Sequence, residues 1–474
     1  MDRPTLSAAS VQDLADQFGT VLSLAAGELS TADLAGIERR VQQIGQQVFG
    51  RVVEAVVATR AAAAAPEERV CPRCAQPLRL VDAARARHLQ GLVGEYALVR
   101  AYYHCAACSQ GDAPLDAELG LGPGALSPGL SRVACRLGIA EAFAPAAEVL
   151  WETLQVAVPA ESVRRITEGL GAVAEAEQQA AMAQARGGAD PPLPAEPPAQ
   201  LVVAVDGVMV HSDGDWHEMK VGVVAPLGPA TWTDPESGRT CQELGAQSVC
   251  AGLEPAAQFW WRIYCEARRR GLGSPAVLLV VLLGDGADWI WHAAARFLAV
   301  GAVEFVEIVD IYHAWEHLWT VANAVFGTGT AAAGAWAEPL KRRLETEGPA
   351  PVLAALEALV PPPGEPADVV RKAQAYFTEH AARMDYPTFV ARQWPIGSGV
   401  IESANKALIT VREKGPGMRW RGTGAQAVAS LRAVHRSGRW DTFWATTSQR
   451  RRPPVCPRRP APTPAALAPT EQAA

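Results

Sequence analysis

Two aspartates each end an apolar stretch and precede a glycine. Asp206 ends the run LVVAVD and Asp285 ends AVLLVVLLGD. Carboxylates at the ends of neighbouring strands meet at one edge of a sheet, where they can share divalent cations. Glu402 follows the turn IGSG on a helical segment and can add a third carboxylate. We therefore predict a divalent-cation site of three acids, although each acid taken alone is more typical of a turn or a helix cap.

Two further positions compete with or extend this set. Asp288 lies three residues after Asp285, where a helix would start, and an acid there is favoured by the helix dipole. Asp285 is therefore the preferred second carboxylate. A third apolar strand ends in Asp310, and His313 follows three residues later, so both side chains can reach the same edge as accessory groups.

Four cysteines form two CxxC pairs, CPRC and CAAC, in a long chain without a signal peptide. The residues are Cys71, Cys74, Cys105 and Cys108. Zinc prefers four soft ligands in a tetrahedron, and each CxxC turn supplies two thiolates. The spacing predicts a structural Zn²⁺ site in a small zinc ribbon.

Basic residues occur in two places that suit a DNA partner. Arg164 and Arg165 lie in the first turns of a helix that begins near Pro159, after a helix and a short turn, as in a helix-turn-helix. Ordinary helix packing would give the same pattern. A second group follows Glu402, and a solvated helix face is its alternative interpretation: Lys406, Arg412, Lys414, Arg419 and Arg421.

The charge is unevenly distributed along the 474 residues. The formal net charge is −7, yet residues 411 to 474 carry a local excess of nine positive charges. Nucleic-acid binding needs clustered cations rather than a basic average, so an acidic total does not exclude it. The sequence also lacks an apolar run of the roughly 20 residues that a membrane span needs. We expect a cytoplasmic protein without a membrane partner.

Periodicity and composition predict a multidomain α+β protein, in which strand and helix alternate after a Gly- and Pro-rich linker. The predicted segments are a helical N-terminal region (1–66), a zinc ribbon (67–120), a helical, helix-turn-helix-like DNA-binding region (121–185), the linker (186–199), an α/β catalytic domain in two parts (200–312 and 393–446) around an all-helical insertion (313–392), and a disordered basic tail (447–474).

Five motifs follow one another in a fixed order: CPRC…YYHCAAC, VDGVMVHSDGDWHEMKVGVV, GDGADWIW, VDIYHAWEHLW and PIGSGVIESANKALITVREKGPGMRWRGTGAQAVASLRA. Together they resemble the ISKra-type insertion-sequence transposases, within the Mutator-like DDE class on a ribonuclease-H-like fold. The resemblance covers roughly residues 70 to 445. It implies that Asp206, Asp285 and Glu402 are the catalytic acids, and that Asp310 and His313 match an acid-x-x-His motif of that class.

The resemblance implies a DNA transposase of an insertion sequence. Such an enzyme binds terminal inverted repeats, and two Mg²⁺ ions support strand cleavage and attack of the freed 3′-hydroxyl on target DNA. Expected partners are transposon ends and target DNA, with a homodimer or higher oligomer on the bacterial nucleoid. Two alternatives remain open: a non-catalytic DNA-binding protein derived from a transposase, and a ribonuclease-H-like nuclease that cuts without joining.

Overall fold

The structure is a computed structural model that describes residues 6–63, 70–71, 73–233, 238–301 and 304–450. Contacts divide the chain into two units. The first comprises Met1–Val133, Ala147–Val158 and the segment that starts at Trp444. The second comprises Ala134–Ala146 and Pro159–Phe443. Residues 451–474 of the predicted tail lie outside the described residues.

The first unit begins with two long helices, α1 (Ala8–Thr31) and α2 (Leu34–Ala63). Both start at side-chain caps. The Oγ of Ser7 accepts a hydrogen bond from the Ser10 N–H, and a carboxylate oxygen of Asp33 accepts one from the Gly36 N–H. Such caps satisfy amide groups that have no partner within the first turn. The predicted helical N-terminal region is therefore observed as two helices.

A three-stranded antiparallel sheet follows, with β1 (Arg79–Gly91), β2 (Gly94–His104) and β3 (Gly111–Asp112) in that order. The β1–β2 hairpin is tight, and Gly94 adopts a φ of 95°, which favours glycine. A short helix, α3 (Pro114–Glu118), packs on this sheet. Its Asp116 accepts hydrogen bonds from Arg87 and Arg100.

Three helices then lead from the first unit into the second: α4 (Pro128–Gly138), α5 (Phe143–Leu154) and α6 (Ala160–Arg186). The sequence places residues 160–185 in a helical, helix-turn-helix-like region of its own. In the structure these residues form most of α6, which belongs to the second unit. The predicted linker after it is anchored there, because Asp190 accepts a hydrogen bond from Tyr264 and pairs with Arg268.

The second unit contains a mixed sheet built from β4 (Gln200–Ser212), β5 (Asp215–Thr233), β6 (Thr240–Leu244), β7 (Ser248–Gly252), β8 (Leu279–Gly284) and β9 (Glu304–Val309). The strand order is β6-β5-β4-β8-β9, and β7 also pairs with β5. β4 is antiparallel to β5 and parallel to β8, and β8 is parallel to β9. Every residue of β8 is buried, as its continuous apolar run predicts.

Helices α7 (Ala256–Arg269) and α8 (Asp288–Leu298) connect these strands. After β9 comes the helical segment predicted as an insertion, formed by α9 (Ile311–Phe326), α10 (Ala331–Glu347), α11 (Ala350–Ala358), α12 (Glu365–Glu379), a 3₁₀ turn (Ala381–Arg383) and α13 (Tyr386–Ala391). Helix α9 starts two residues before the predicted boundary, because Asp310 caps it.

The last part of the second unit is again helical. Helix α14 (Gly399–Asn405) continues through a π-helical segment (Lys406–Thr410) into α15 (Val411–Glu413). Helices α16 (Gly422–Arg436) and α17 (Trp440–Arg450) follow. Helix α17 runs past residue 447, so the first positions of the predicted disordered tail are helical.

Helices α6 and α16 pack closely enough to require a glycine. A Cβ atom on Gly171 of α6 would lie 2.1 Å from the carbonyl oxygen of Ala427 in α16. No real Cβ fits at that distance, so the two backbones touch only because residue 171 has no side chain. This contact fixes α6 against the C-terminal part of the second unit.

Candidate active site

Three acids lie side by side on three adjacent parallel strands. Asp285 and Asp310 directly follow β8 and β9, whereas Asp206 lies within β4, which continues to Ser212 as the antiparallel partner of β5. The prediction that Asp206 ends its strand is therefore wrong. Ala204 of β4 pairs with Leu283 of β8, and Asp206 and Asp285 each follow two residues later. Gly284 of β8 pairs with Val309 of β9, so Asp285 and Asp310 are the next residues on those strands. The Asp310 N–H donates to the Gly284 carbonyl at 2.8 Å. The strand register thus aligns the acids on one sheet edge.

Asp206 is partly buried, and its surroundings act on its carboxylate in opposite directions. Burial is the main cause that raises its pKa, and the negative charge of Asp285 raises it further. The Gly207 N–H, which donates to Oδ1 at 2.6 Å, lowers it, as does the charge of His313. The net effect is to raise the pKa of Asp206, mainly through burial.

Asn405 at the end of α14 forms a hydrogen bond with Asp206, although the sequence analysis did not predict Asn405 as a site residue. Its Nδ2 donates to Oδ2 of Asp206, and its own Oδ1 is buried without a hydrogen-bond partner. Asn405 is three residues after Glu402 in α14, and residues three apart share one face of a helix. The spacing of Glu402 and Asn405 could have indicated this contact, because a polar residue on the same helix face as one candidate ligand can hold a neighbouring ligand in place.

Glu402 is exposed and is held by Ser398. The Ser398 Oγ donates to Oε1 of Glu402 at 2.7 Å, and the Ser398 N–H donates to Oδ1 of Asp310 at 3.1 Å. One residue therefore connects the glutamate to the strand ends. In the described part of the chain, however, the ligand atoms of Asp206, Asp285 and Glu402 do not all lie within 4.8 Å of one another.

The two aspartates of the GDGAD segment have different environments. Asp285 is half-buried, and its Oδ1 accepts the Ala287 N–H at 2.8 Å. Asp288 is exposed and is the first residue of α8, where its charge favours the helix N-terminus. Of these two aspartates, Asp285 is the one whose charge acts on Asp206.

Asp310 is fully buried and organises two segments. Its Oδ1 accepts the N–H groups of Tyr312 and Ser398, both at 3.1 Å, so it caps α9 and holds the turn before α14. Its Oδ2 has no hydrogen-bond partner, and the Nε2 of His313 is 3.8 Å away. Burial is the main cause that raises the pKa of Asp310.

Aromatic residues of the helical segment form one wall of this region. The Tyr376 hydroxyl donates to the main-chain oxygen of Asp285 at 3.3 Å, and the His317 ring stacks on the Tyr376 ring at 3.8 Å. Gly286, with a φ of 108°, leaves room for this wall, because a Cβ there would lie 2.7 Å from the Tyr376 ring. The sequence pattern gave no signal that these residues meet.

The four cysteines form a compact cluster in the first unit. The Sγ atoms of Cys71 and Cys108 are 3.6 Å apart, and those of Cys74 and Cys105 are 3.5 Å apart. A tetrahedron with Zn–S bonds of about 2.3 Å has edges of about 3.8 Å. All four Sγ atoms lie within 4.8 Å of one another, so the cluster can bind a metal ion such as zinc.

Each cysteine pair is held by the same kind of turn. The Cys71 N–H donates to the Gln76 carbonyl, and the Cys105 N–H donates to the Gln110 carbonyl, both at 2.8 Å. The residue after each pair, Ala75 or Ser109, has a φ near 55°. Two matching turns present the four thiols to one point, as the paired CxxC spacing predicts.

The basic residues predicted to bind DNA have different surroundings. Arg164 forms ion pairs with Glu161 and Glu168, whereas Arg165 is well exposed. Arg412 corrects the prediction of an exposed phosphate contact, since its side chain is only 2% exposed and its Nε donates to the Gly138 carbonyl. The other four predicted cations are exposed: Lys406, Lys414, Arg419 and Arg421.

Hydropathy places no membrane-crossing helix in the part of the chain that the structure describes. The sequence matches no protein-family model and no curated protein.

Proposed function

We propose that the chain is the DNA transposase of an insertion sequence, in which Asp206, Asp285 and Glu402 hold two Mg²⁺ (or Mn²⁺) ions for strand cleavage and strand transfer. The observation that carries the proposal is the aligned register of β4, β8 and β9, which ends in three acids beside α14. That helix supplies Asn405 to Asp206 and carries Glu402.

The sheet supports a ribonuclease-H-like catalytic domain. The antiparallel strands β4, β5 and β7 are followed by β8 and β9, which run parallel to β4, and β4 lies at the centre; β6 is an additional antiparallel strand on β5. This is the sheet arrangement that gives the ribonuclease-H-like fold its acids on adjacent central strands. The helices from Ile311 to Ala391 then correspond to the all-helical insertion.

The donor set fits a hard divalent cation. Every candidate ligand atom is an oxygen, which magnesium prefers. Two oxygens near the strand ends, Oδ2 of Asp310 and Oδ1 of Asn405, are buried without hydrogen-bond partners, and an oxygen left in this state is costly unless something binds it. When bound, the ions would activate the attacking oxygen and stabilise the leaving oxygen of a phosphodiester.

The residues of the chain then have separate roles. Asn405 orients the Asp206 carboxylate through its Nδ2. Asp310 holds α9 and the turn before α14 together, so that Glu402 stays at the sheet edge through Ser398. His313 lies against Asp310 and balances its charge when protonated. Exposed cations such as Lys406 attract the phosphates of the DNA strand.

The first unit contributes DNA recognition in this proposal. The cysteine cluster of the first unit holds a structural zinc ion in a ribbon that binds transposon ends, and Arg164 and Arg165 add cations from α6 of the second unit. Helices α1 and α2 support self-association, because several of their large apolar side chains are exposed, including Phe18, Leu24 and Phe49. We therefore expect the protein to bind DNA as a homodimer.

The decisive experiment is Mg²⁺-dependent cleavage of a duplex that carries the element's own ends. Asp206→Ala, Asp285→Ala and Glu402→Ala are compared with Asp288→Ala, a matched control in an exposed position of the same loop. We expect the three variants to bind DNA and not to cut it, while the control cuts normally.

A wild type that binds the ends without cutting would overturn the proposal in favour of a non-catalytic DNA-binding protein. Cleavage without joined product in a strand-transfer assay would instead identify a nuclease. A cleavage rate that survives Asp206→Ala would exclude the assigned site.

A further inference from the structure

A groove of about 550 Å³ lies in the second unit, and Asp206, Asp285 and Glu402 are not among the residues that line it. We call it the arginine groove. It is defined by four arginines and two aromatic residues: Arg164, Arg412, Arg419, Arg421, Phe143 and Trp420. The groove combines cationic and flat apolar surface, and a nucleotide offers the complementary pair of a phosphate and a base or sugar.

The charge of the groove is strongly positive on an acidic protein. Among its lining residues the only carboxylate is Glu168, which is already paired with Arg164 at 2.5 Å. Arg419 and Arg421 are exposed, and no ion pair is found for them within the described residues. The chain as a whole carries −7, so this local surplus of cations is what would attract an anion.

Arg412 lies beneath the groove as a buried cation. Its guanidinium is 4.5 Å from the centre of the Phe143 ring and 5.0 Å from the centre of the Trp420 ring. Its Nη2 is buried without a hydrogen-bond partner. The neighbouring Glu413 does not neutralise it, because burial raises the pKa of that carboxyl to about 8. The charges of Glu141 and Glu168 also act on Arg412, but no ion pair of its guanidinium is found within the described residues.

Trp420 is held rigidly at the groove wall. Its N–H donates to the His211 carbonyl at 3.2 Å, and its carbonyl accepts the Asp213 N–H at 2.9 Å. Its indole Nε1 donates to the Glu413 carbonyl at 3.1 Å. Two main-chain hydrogen bonds, one ring hydrogen bond and a cation on the ring fix Trp420 in place, and such preorganisation lowers the entropic cost of binding.

One helical segment carries both Glu402 of the candidate active site and Arg412 of the arginine groove. Arg412 follows Asn405 by seven residues in one continuous helical segment, which corresponds to about 10 Å at 1.5 Å per residue. Neighbouring phosphates along one DNA strand advance by about 3.4 Å of helix axis. A strand whose scissile phosphate lay at the acids would therefore reach the groove within a few nucleotides.

We propose that the arginine groove binds a nucleotide of the DNA strand close to the scissile phosphate, with Arg419 and Arg421 on its phosphate and the Trp420 wall against its base or sugar. The inference rests on the proposed function in taking DNA as the substrate. It adds a specific binding site for the strand beside the acids.

The test is the salt dependence of DNA binding, measured by fluorescence anisotropy with labelled 30-mer duplex and single-stranded DNA and without Mg²⁺. The double variant Arg419→Ala/Arg421→Ala is compared with Arg342→Ala/Arg371→Ala, which removes the same charge from exposed positions of the helical segment. Each lost phosphate contact lowers the slope of log K against log salt by about 0.9 for duplex and about 0.7 for single strands.

We expect the groove variant to lose at least tenfold in affinity and roughly 1.4 to 1.8 in slope, while the control keeps the wild-type slope. Trp420→Ala should weaken binding without changing the slope, and Trp420→Phe should restore part of it. Inorganic phosphate at constant ionic strength should not displace the DNA, since a free phosphate lacks the base and sugar.

An unchanged slope in the groove variant, or an equal loss in the control, would overturn the inference. Displacement of the DNA by inorganic phosphate would assign the groove to free phosphate instead. Because binding is measured without Mg²⁺, the outcome is independent of cleavage. A protein that shows the expected slopes but never cuts DNA would retain the groove and lose the proposed catalytic function.

Discussion

Asn405 donates a hydrogen bond from Nδ2 to Oδ2 of Asp206 across 199 positions of sequence, and its own Oδ1 is buried without a partner. The amide therefore fixes one carboxylate of the candidate site from the helix that carries Glu402. A buried pair of this kind makes the orientation of Asp206 depend on the packing of α14 against β4.

Replacement of Asn405 by alanine should reduce DNA cleavage by about 10- to 100-fold, the usual cost of removing a group that orients a metal ligand. The loss should be largest at limiting Mg²⁺, so the measurement is the cleavage rate across a Mg²⁺ titration. DNA binding without Mg²⁺ should not change. Ser403→Ala, at an exposed position of the same helix, serves as the control. Wild-type rates at limiting Mg²⁺ would contradict this role.

Gly286→Ala should destabilise the second unit. The residue has a φ of 108°, and a Cβ would lie 2.7 Å from the Tyr376 ring, so backbone strain and a steric clash add. Strain alone costs about 1–3 kcal/mol. Gly364→Ala has a similar φ of 98° with open space around the Cβ, so it isolates the strain. Thermal unfolding should show the larger loss for Gly286→Ala, and equal losses would mean that Tyr376 does not fill this space.

Stability should depend on pH through Glu413. Burial raises the pKa of this carboxyl to about 8, although Arg432 and Arg412 lower it in part. Between about pH 4.3, its ordinary value, and pH 8, the native chain keeps a proton that the unfolded chain releases. The contribution of Glu413 to stability therefore falls as pH rises, by at most about 1.4 kcal/mol per pH unit.

Glu413→Gln removes this dependence. The free energy of unfolding of the Glu413→Gln variant, relative to that of the wild type, should therefore increase from pH 5 to pH 8 and stay constant above pH 8. Urea unfolding at pH 5, 6.5 and 8 measures the difference, and the other titrating groups are common to both proteins. A difference that stays constant with pH would show that Glu413 ionises normally in the folded protein.

The cysteine cluster should bind one zinc ion per chain. Cys74→Ser or Cys108→Ser removes one of four ligands and should lower the zinc content, with loss of the folded ribbon, because metal binding and folding are coupled in such sites. Metal analysis together with limited proteolysis of the region around residues 70–112 measures both effects. Cys241→Ser, outside the cluster, should keep the zinc. Full zinc occupancy in Cys74→Ser would exclude the four-cysteine site.

The sequence by itself determined the features that depend on local pattern. The paired CxxC spacing predicted the clustering of four thiols, because each pair fixes two ligands within one turn. The apolar run before Asp285 predicted a strand with an acid directly after it, because a buried parallel strand shows as a continuous apolar stretch. The run before Asp206 also predicted a strand, but that strand continues beyond the acid to Ser212. Helical spacing likewise predicted the helices of residues 8–63 and 311–391.

Only the tertiary structure decided which groups meet. It brought Asn405 to Asp206 and Tyr376 to Asp285, buried Arg412 between two aromatic rings, and joined α6 to the second unit through Gly171. Periodicity reports which face of an element is apolar, but not which other element covers that face. Contacts between residues hundreds of positions apart depend on the packing of whole helices against the sheet, and no local pattern in one sequence contains that information.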